Sequence, residues 1–269
     1  MTSRSDQLPA LHGFVDLNSG SGFVYGAPTA VGDAGMRSTT LIDGASLEAA
    51  ARAQPPRDYL GGSRIGEPCA RRLAYEITLT PVDDGKGFDG HKLRIFAAGH
   101  QFEDLTIAWL RAAGFDLRTR TRDGDQFGFS IAGGRVRGHI DGVIVGGPEV
   151  GITWPALFEH KALNQSSWTD LVKRGLRQSK PVYFAQCQLY MAYLELEVAL
   201  LTAMNKNTQE LYHEVVHFDP AEAQRLSDKA VDILRAVEAE ELPPRIAAAP
   251  DGHLCRMCPY ARRCWEAAP

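Results

Sequence analysis

The stretch Arg135–Leu163 reads RVRGHIDGVIVGGPEVGITWPALFEHKAL. Two apolar runs flank a turn rich in Gly and Pro (Gly146, Gly147, Pro148, Gly151), and such punctuation marks a pair of strands. Asp141 belongs to the first strand. Glu159 and Lys161 stand two apart in the second, where the period of a strand sends both side chains to one face. Pro155 interrupts the second run and marks an edge strand or a bulge ahead of Glu159.

Two carboxylates beside an ammonium form a set suited to phosphodiester cleavage. The carboxylates fix a divalent metal, which polarises a phosphate and acidifies a bound water, and the ammonium orients that water or neutralises developing charge. Mg²⁺ takes one or two carboxylates together with water and phosphate oxygens, so Asp141 and Glu159 suffice as protein anions. The backbone carbonyl of His160 is a further candidate ligand. The plain alternative for an Asp followed by Glu-x-Lys is a salt-bridged hairpin at the surface.

With 269 residues and 44% hydrophobic content, the chain can bury a substantial core as one large domain with appendages. No run of about 18 apolar residues occurs, and the N-terminal segment MTSRSDQLPALHG lacks the apolar centre of a secretory signal, so the cytoplasm is the expected location. A net charge of −4 argues against a protein that coats nucleic acid through a generally basic surface. Local basic stretches remain, at Arg111, Arg118, Arg120 and Arg122, and at Lys173, Arg174, Arg177 and Lys180. Either could be a solvated face or a path for a strand.

Upstream, residues 1–57 are rich in Gly, Ala, Ser and Thr and read as a loose arm with one helix near Ala45 to Ala53. Pro68 fits the first turn of a helix carrying Cys69, Leu73 and Ile77. Arg94 to Gly114 reads as a helix with an apolar stripe of Ile95, Ala98, Phe102, Leu105, Trp109 and Ala112. Glu103 flanks that stripe, and His100 lies one turn earlier. Phe115 to Phe129, Val136 to Val145 and Ile152 to Ala162 then suggest a three-stranded antiparallel start to a sheet.

Downstream, PVYFAQCQLYMAYL (Pro181 to Leu194) is a strong helix that places Tyr183, Gln186 and Tyr190 on one face. Gln and Tyr offer donors to phosphate and rings to bases, although a Tyr stripe commonly packs in a core. A strand pair around NKNTQ follows, then an amphipathic helix from Pro220 to Glu241. The segment Leu254 to Trp265 reads LCRMCPYARRCW, placing Cys255, Cys258 and Cys264 within ten residues of a chain with five cysteines. That density points to metal and leaves a site one ligand short. Cys69 or Cys187 completes it; Cys187 lies within the Tyr/Gln helix and behaves as a core residue, so Cys69 is the better fourth ligand.

These elements together resemble the RecB-like branch of the PD-(D/E)XK nucleases, with its CRISPR-associated exonucleases and AddB-type domains that carry an iron–sulfur cluster. The resemblance covers about Gly61 to Trp265. Gly138 to Asp141 match its GhID element, Glu159 to Lys161 its ExK, and Tyr183, Gln186 and Tyr190 its Y-x-x-Q-x-x-x-Y helix. Cys69 ahead of the core and Cys255, Cys258 and Cys264 behind it match the ligands of a four-iron four-sulfur (4Fe-4S) cluster, with a four-Cys zinc site as the rival. Where the family places a metal-binding His four residues after a Gly, Gly99 is followed at that spacing by Glu103, as in the phage exonuclease-like branch. The third metal ligand therefore lies between Glu103 and His100. The family Pro before the Asp is replaced by Ile140.

The resemblance implies an α/β, restriction-endonuclease-like core at residues 58–269, a central mixed β-sheet flanked by helices, with N- and C-terminal segments joined by the cluster. It implies a DNA nuclease dependent on Mg²⁺ or Mn²⁺, an exonuclease on single-stranded ends, in phage or prophage recombination or CRISPR-type DNA processing. Asp141, Glu159 and Glu103 would hold the ion and Lys161 would position the water. Tyr183, Gln186 and Tyr190 would set the phosphate backbone or orient Lys161, with Lys173, Arg174 and Arg177 along the strand. The expected setting is the cytoplasm of a bacterium or of a phage-infected host, with a homo-oligomer or a recombination or adaptation protein as partner. The alternative is a catalytically weak nuclease-fold module that binds DNA for such a partner.

Overall fold

The computed structural model describes residues 33–266. The chain enters as helix, α1 (Asp33–Leu41) passing through a π-helical stretch, Ile42–Glu48, into α2 (Ala49–Arg52). The described residues are thus already helical at Asp33, ahead of the start expected near Ala45; the rest of the expected arm lies outside the described residues. After β1 (Leu60–Gly61) come α3 (Ala70–Ile77), with Cys69 at its N-cap, and the long α4 (Gly90–Ala112). The Asp89 carboxylate caps α4 by accepting from the Lys92 N–H at 2.8 Å, satisfying a donor that the helix cannot.

Four short strands and one long one follow: β2 (Leu117–Arg118), β3 (Gly128–Ile131), β4 (Val136–His139), β5 (Gly142–Ile144) and β6 (Ala156–Leu163). Next are α5 (Gln165–Ser179), α6 (Pro181–Leu194), β7 (Val198–Asn205), β8 (Leu211–His217), α7 (Pro220–Glu238) and the short α8 (His253–Arg256) and α9 (Ala261–Glu266). Proline opens both α6 and α7 at their first turns, where a missing N–H costs nothing. Helix α5 breaks at Gly175, whose φ of 70° suits a residue without Cβ.

The main sheet has the order β2-β5-β6-β7-β8, with β6 and β7 parallel and the other neighbours antiparallel. It is mixed and flanked by helices, as expected. On one face Ile107 and Leu110 of α4 pack with Ile144, Phe158 and Leu200. On the other, Leu157, Ala199, Leu201 and Ala203 meet Leu171 and Leu176 of α5 and Phe184, Tyr190 and Met191 of α6. Alternation along β6 and β7 produces this division, and the apolar area it removes from water holds the layers together. A second core joins α3, α6 and α7 to the small sheet β1-β4-β3.

Three expectations need correction. The run Val136–Val145 is not one strand: it changes sheets at Ile140–Asp141, so β4 belongs to the small sheet and β5 to the large one. Phe115–Phe129 likewise divides between the two sheets. Strand β6 is central and buried, because Pro155 precedes it and removes no hydrogen bond from its ladder. The face of α4 is rotated from the expected stripe: Ile95, Leu105 and Trp109 are exposed, while Thr106, Ile107 and Leu110 are buried. Residues 103, 106, 107 and 110 share one side of a helix, so this rotation carries Glu103 inward.

Candidate active site

Strand β5 begins at Gly142, paired with Phe158, so β6 runs on from Glu159 without a strand at that edge. Asp141 fills the gap with its side chain, its Oδ2 accepting from the His160 N–H at 2.7 Å. The switch between sheets thus turns a carboxylate toward the bare edge of β6. A residue's N–H and C=O project to the same side of a strand. The His160 carbonyl therefore faces the same gap. Its imidazole is on the opposite face from Glu159 and Lys161, buried with both ring nitrogens unpartnered.

Glu159 is the buried centre of the cluster. Lys161 Nζ and, at 2.6 Å, Gln186 Nε2 both donate to its Oε1. Its other oxygen, Oε2, is buried and makes no hydrogen bond. Burial, then the nearby Asp141 carboxylate, pushes Glu159 up to about 8. Burial followed by Asp141 also pushes Glu103 up to about 7, and burial raises Asp141 itself. Burial alone would lower Lys161, but Glu159 and Asp141 outweigh it and hold the ammonium firmly protonated. Three carboxylates thus share one ammonium. Fully ionised, the group carries two uncompensated negative charges in a place poor in water.

Helix α6 braces this arrangement. Tyr190 hydrogen-bonds Gln186, which holds Glu159. The Tyr190 ring is edge-on to Phe129, with centroids 5.8 Å apart. It lies so close to Gly62 and Gly138 that a Cβ would meet its Cε1 at 2.5 Å and 2.7 Å. Gln186 and Tyr190 are 4% and 2% exposed, so they support the carboxylate from beneath and are out of reach of a strand. Tyr183 is half-buried, its ring 5.0 Å from Lys161 Nζ.

The remaining expected residues divide. Glu103 has a side chain 25% exposed, whereas His100 is 78% exposed and stands 3.8 Å away from it at the rim. On α5, Arg174 pairs with Asp170 and Arg177 with Asp219, the latter stacked on Phe184, while Lys173 is exposed. A cleft of about 330 Å³ leads to Glu103 and Asp141. Arg111 and Arg120 line it, as do Thr119 and Gln126. Sequence reading noted the two arginines only as part of a basic stretch and missed Gln126, because no periodicity relates a helix end to a hairpin.

Cys69, Cys255, Cys258 and Cys264 line a single pocket, with Arg72 and Arg245 beside them, while Cys187 is buried in the core. Contact between α3 and the C-terminal segment is what gathers them: Arg71 Nε donates to the Pro243 carbonyl at 2.5 Å, and its Nη1 lies 4.0 Å from Cys264 Sγ. Burial pushes the Cys69 and Cys258 thiols up. Among the described residues, no group of three or more His, Cys, Asp or Glu side chains is arranged to hold one metal ion. At the carboxylates, the unpartnered Glu159 oxygen and the charge imbalance fit a Mg²⁺-like ion, which needs only one or two protein carboxylates and completes its shell with water.

No family model and no curated protein matches the chain. Among solved structures it is similar to an alkaline exonuclease from Laribacter hongkongensis, at 14% identity over 69% of this chain and 90% of that one, with a TM-score of 0.49. The same exonuclease in complex with dAMP gives 14% identity over 69% and 90%, with a TM-score of 0.46. A protein named SSO0001 gives 14% identity over 80% of this chain and 90% of that one, with a TM-score of 0.48. The chemistry of the site is read from its own side chains.

Proposed function

We propose that this chain is a metal-dependent DNA nuclease of the PD-(D/E)XK type, an exonuclease on single-stranded ends. The observation that carries the reading is the Glu103, Asp141 and Glu159 cluster around Lys161, with one Glu159 oxygen buried and unpartnered beside a bare strand edge. Asp141 and Glu159, with Glu103 and the His160 carbonyl beside them, would hold Mg²⁺ or Mn²⁺; bound there, the ion supplies a polarised phosphate and an acidified water. Lys161 would orient the attacking water and neutralise the charge that develops on the phosphate oxygens. Gln186 fixes the Glu159 carboxylate, and Tyr190 fixes Gln186, so the anion is positioned before substrate arrives. Tyr183 borders the strand over Lys161, and Lys173, Arg174 and Arg177 extend the path along α5.

The four cysteines belong, on this proposal, to a 4Fe-4S cluster of structural role in a RecB-like protein, since hydrolysis moves no electron. What supports the reading is that all four line one pocket. No helix among the described residues is long and apolar enough to cross a membrane; a cytoplasmic setting, with phage recombination or CRISPR-type processing as the context, completes the proposal.

The test is digestion of end-labelled single-stranded DNA with and without Mn²⁺, comparing wild type with Lys161→Ala after both are shown to fold. Metal-dependent release of label lost in Lys161→Ala supports the reading. Equal cleavage by both proteins, or binding with no cleavage by either, rejects it.

A further inference from the structure

The cleft that ends at Glu103 and Asp141 is built from two unrelated pieces, the last turns of α4 and the hairpin that joins β2 to β3. The hairpin is closed by a bridge between Arg120 and Gln126 and by the Thr121 N–H donating to the Asp125 carbonyl at 2.8 Å. Each piece contributes one guanidinium, and each guanidinium is aimed by neutral acceptors. Arg111 donates through Nε to the Leu117 carbonyl at 2.9 Å and through Nη2 to Thr119 Oγ1 at 3.4 Å. Arg120 donates through Nη1 to the Gly124 carbonyl at 2.7 Å. Nearby Arg118, by contrast, is held by the Asp116 carboxylate at 3.0 Å.

Charge follows from that difference. Neither Arg111 nor Arg120 makes an ion pair among the described residues, so both keep their full positive charge and spare donors. The cleft also holds Asp104. With a divalent ion compensating Glu103 and Asp141, two guanidiniums against one carboxylate leave it positive. Its volume of about 330 Å³ is at the lower end for ligand sites, which run from about 300 to 1,000 Å³. That suits a single nucleotide.

We propose that this cleft is a one-nucleotide subsite in which Arg111 and Arg120 clamp the phosphate adjacent to the bond held at Asp141 and Glu159. The subsite rests on the nuclease reading and deepens it. Its ligand is the phosphodiester of a single strand, held by charge-assisted hydrogen bonds from two forks that carry no base information. Arg111 and Arg120 are positioning residues, and their loss weakens the hold on the strand while leaving the chemistry at Lys161 intact.

The test is binding of a short fluorescent oligothymidylate across a range of salt, with Ca²⁺ replacing Mn²⁺ so that the strand is not consumed. Proteins compared are wild type, Arg111→Ala, Arg120→Ala, Arg120→Lys and, as control, Arg118→Ala. Each phosphate contact on a single strand contributes about 0.7 to the slope of log affinity against log salt. The expected result is a loss of about that much in Arg111→Ala and in Arg120→Ala, with affinity down roughly tenfold. Arg120→Lys restores the slope, and Arg118→Ala matches wild type. In Mn²⁺ the same variants raise KM and leave kcat close to wild type. Slopes equal to wild type in Arg120→Ala overturn the subsite, even if Arg111→Ala proves unstable. Because the salt slope is read without turnover, failure of the subsite is separable from failure of the nuclease reading: slopes that fall as expected in a protein that never cleaves reject only the latter.

Discussion

Glu103→Gln should remove a share of the loss of stability that metal-free protein suffers as pH rises. In the fold, burial and the Asp141 carboxylate push Glu103 up to about 7 from an ordinary value of 4.5. A carboxyl whose folded value is raised contributes stability that is present below its unfolded value and lost as pH rises through the folded one. The window is therefore about pH 4.5 to 7. A shift of that size corresponds to roughly 3 kcal/mol at about 1.4 kcal/mol per unit, reduced to about 2 kcal/mol because solvent reaches the side chain and screens it. For a chain of this length that is roughly 4–8 °C in Tm. Burial raises Glu159 and Asp141 as well, but both titrate in the two proteins alike, so the difference between wild type and Glu103→Gln reports Glu103. The assay is thermal unfolding of wild type and Glu103→Gln from pH 5 to 8 in chelator. Expected is a wild-type stability that falls relative to Glu103→Gln by about 2 kcal/mol between pH 5 and pH 8. Saturating Mn²⁺ should then remove that fall, since an ion that binds only the folded, ionised site stabilises it. A difference between the two proteins that is flat with pH would refute the claim that Glu103 is turned into the carboxylate cluster.

Gly138→Ala would drive a methyl into the Phe129 ring at 2.5 Å and the Tyr190 ring at 2.7 Å; the expected cost is about 1–3 kcal/mol, read as a lower midpoint in urea, with reduced Mn²⁺ affinity as Tyr190 and Gln186 shift. Gln186→Ala removes the 2.6 Å donor to Glu159, and should weaken Mn²⁺ binding by roughly 10–100-fold, as followed by titration calorimetry, with a stability cost of about 1–3 kcal/mol for the lost buried hydrogen bond. Cys255→Ser should abolish the broad absorbance near about 400 nm expected of thiolate-bound iron in protein purified without air; it should also lower Tm, because ligands at Cys69 and Cys255 close nearly the whole core into one loop. Colourless wild-type protein with stoichiometric zinc would contradict that prediction.

The elements legible in the sequence are those whose pattern is set by their own burial. Helix α6 starts at Pro181 and ends at Leu194 as read, because a proline opens it and nearly every residue within it is apolar. The pair β7 and β8 was visible from two β-rich runs about a polar turn. Helix α4 misled because its periodic apolar residues Ile95, Leu105 and Trp109 are on the surface, while a carboxylate and Thr106 occupy the inner face. That face packs Ile107 and Leu110 into the core beside the polar pair. The sheet switch at Ile140–Asp141 left no mark either, since the two-residue alternation through Val136, Ile140 and Ile144 continues across it. At the site, Asp141, Glu159 and Lys161 were readable as a motif and do converge. The supporting place of Gln186 and Tyr190 was not, since helical spacing alone cannot say whether a polar face meets solvent or a buried carboxylate. Arg111 and Arg120 lie on elements that only tertiary structure brings together.

The central claim is that Glu159, with its buried unpartnered oxygen, is the anion around which a divalent ion and a phosphodiester assemble. Its most direct test is the rate of nucleotide release from end-labelled single-stranded DNA by wild type and Glu159→Gln across a Mn²⁺ titration. Glutamine keeps the shape and relieves a buried charge, so the substituted protein should fold at least as stably without metal. Expected is Mn²⁺-dependent release by wild type and a loss of at least a hundredfold in Glu159→Gln, not recovered at high Mn²⁺. Release by Glu159→Gln at the wild-type rate, in protein purified to remove host nucleases, would contradict the account.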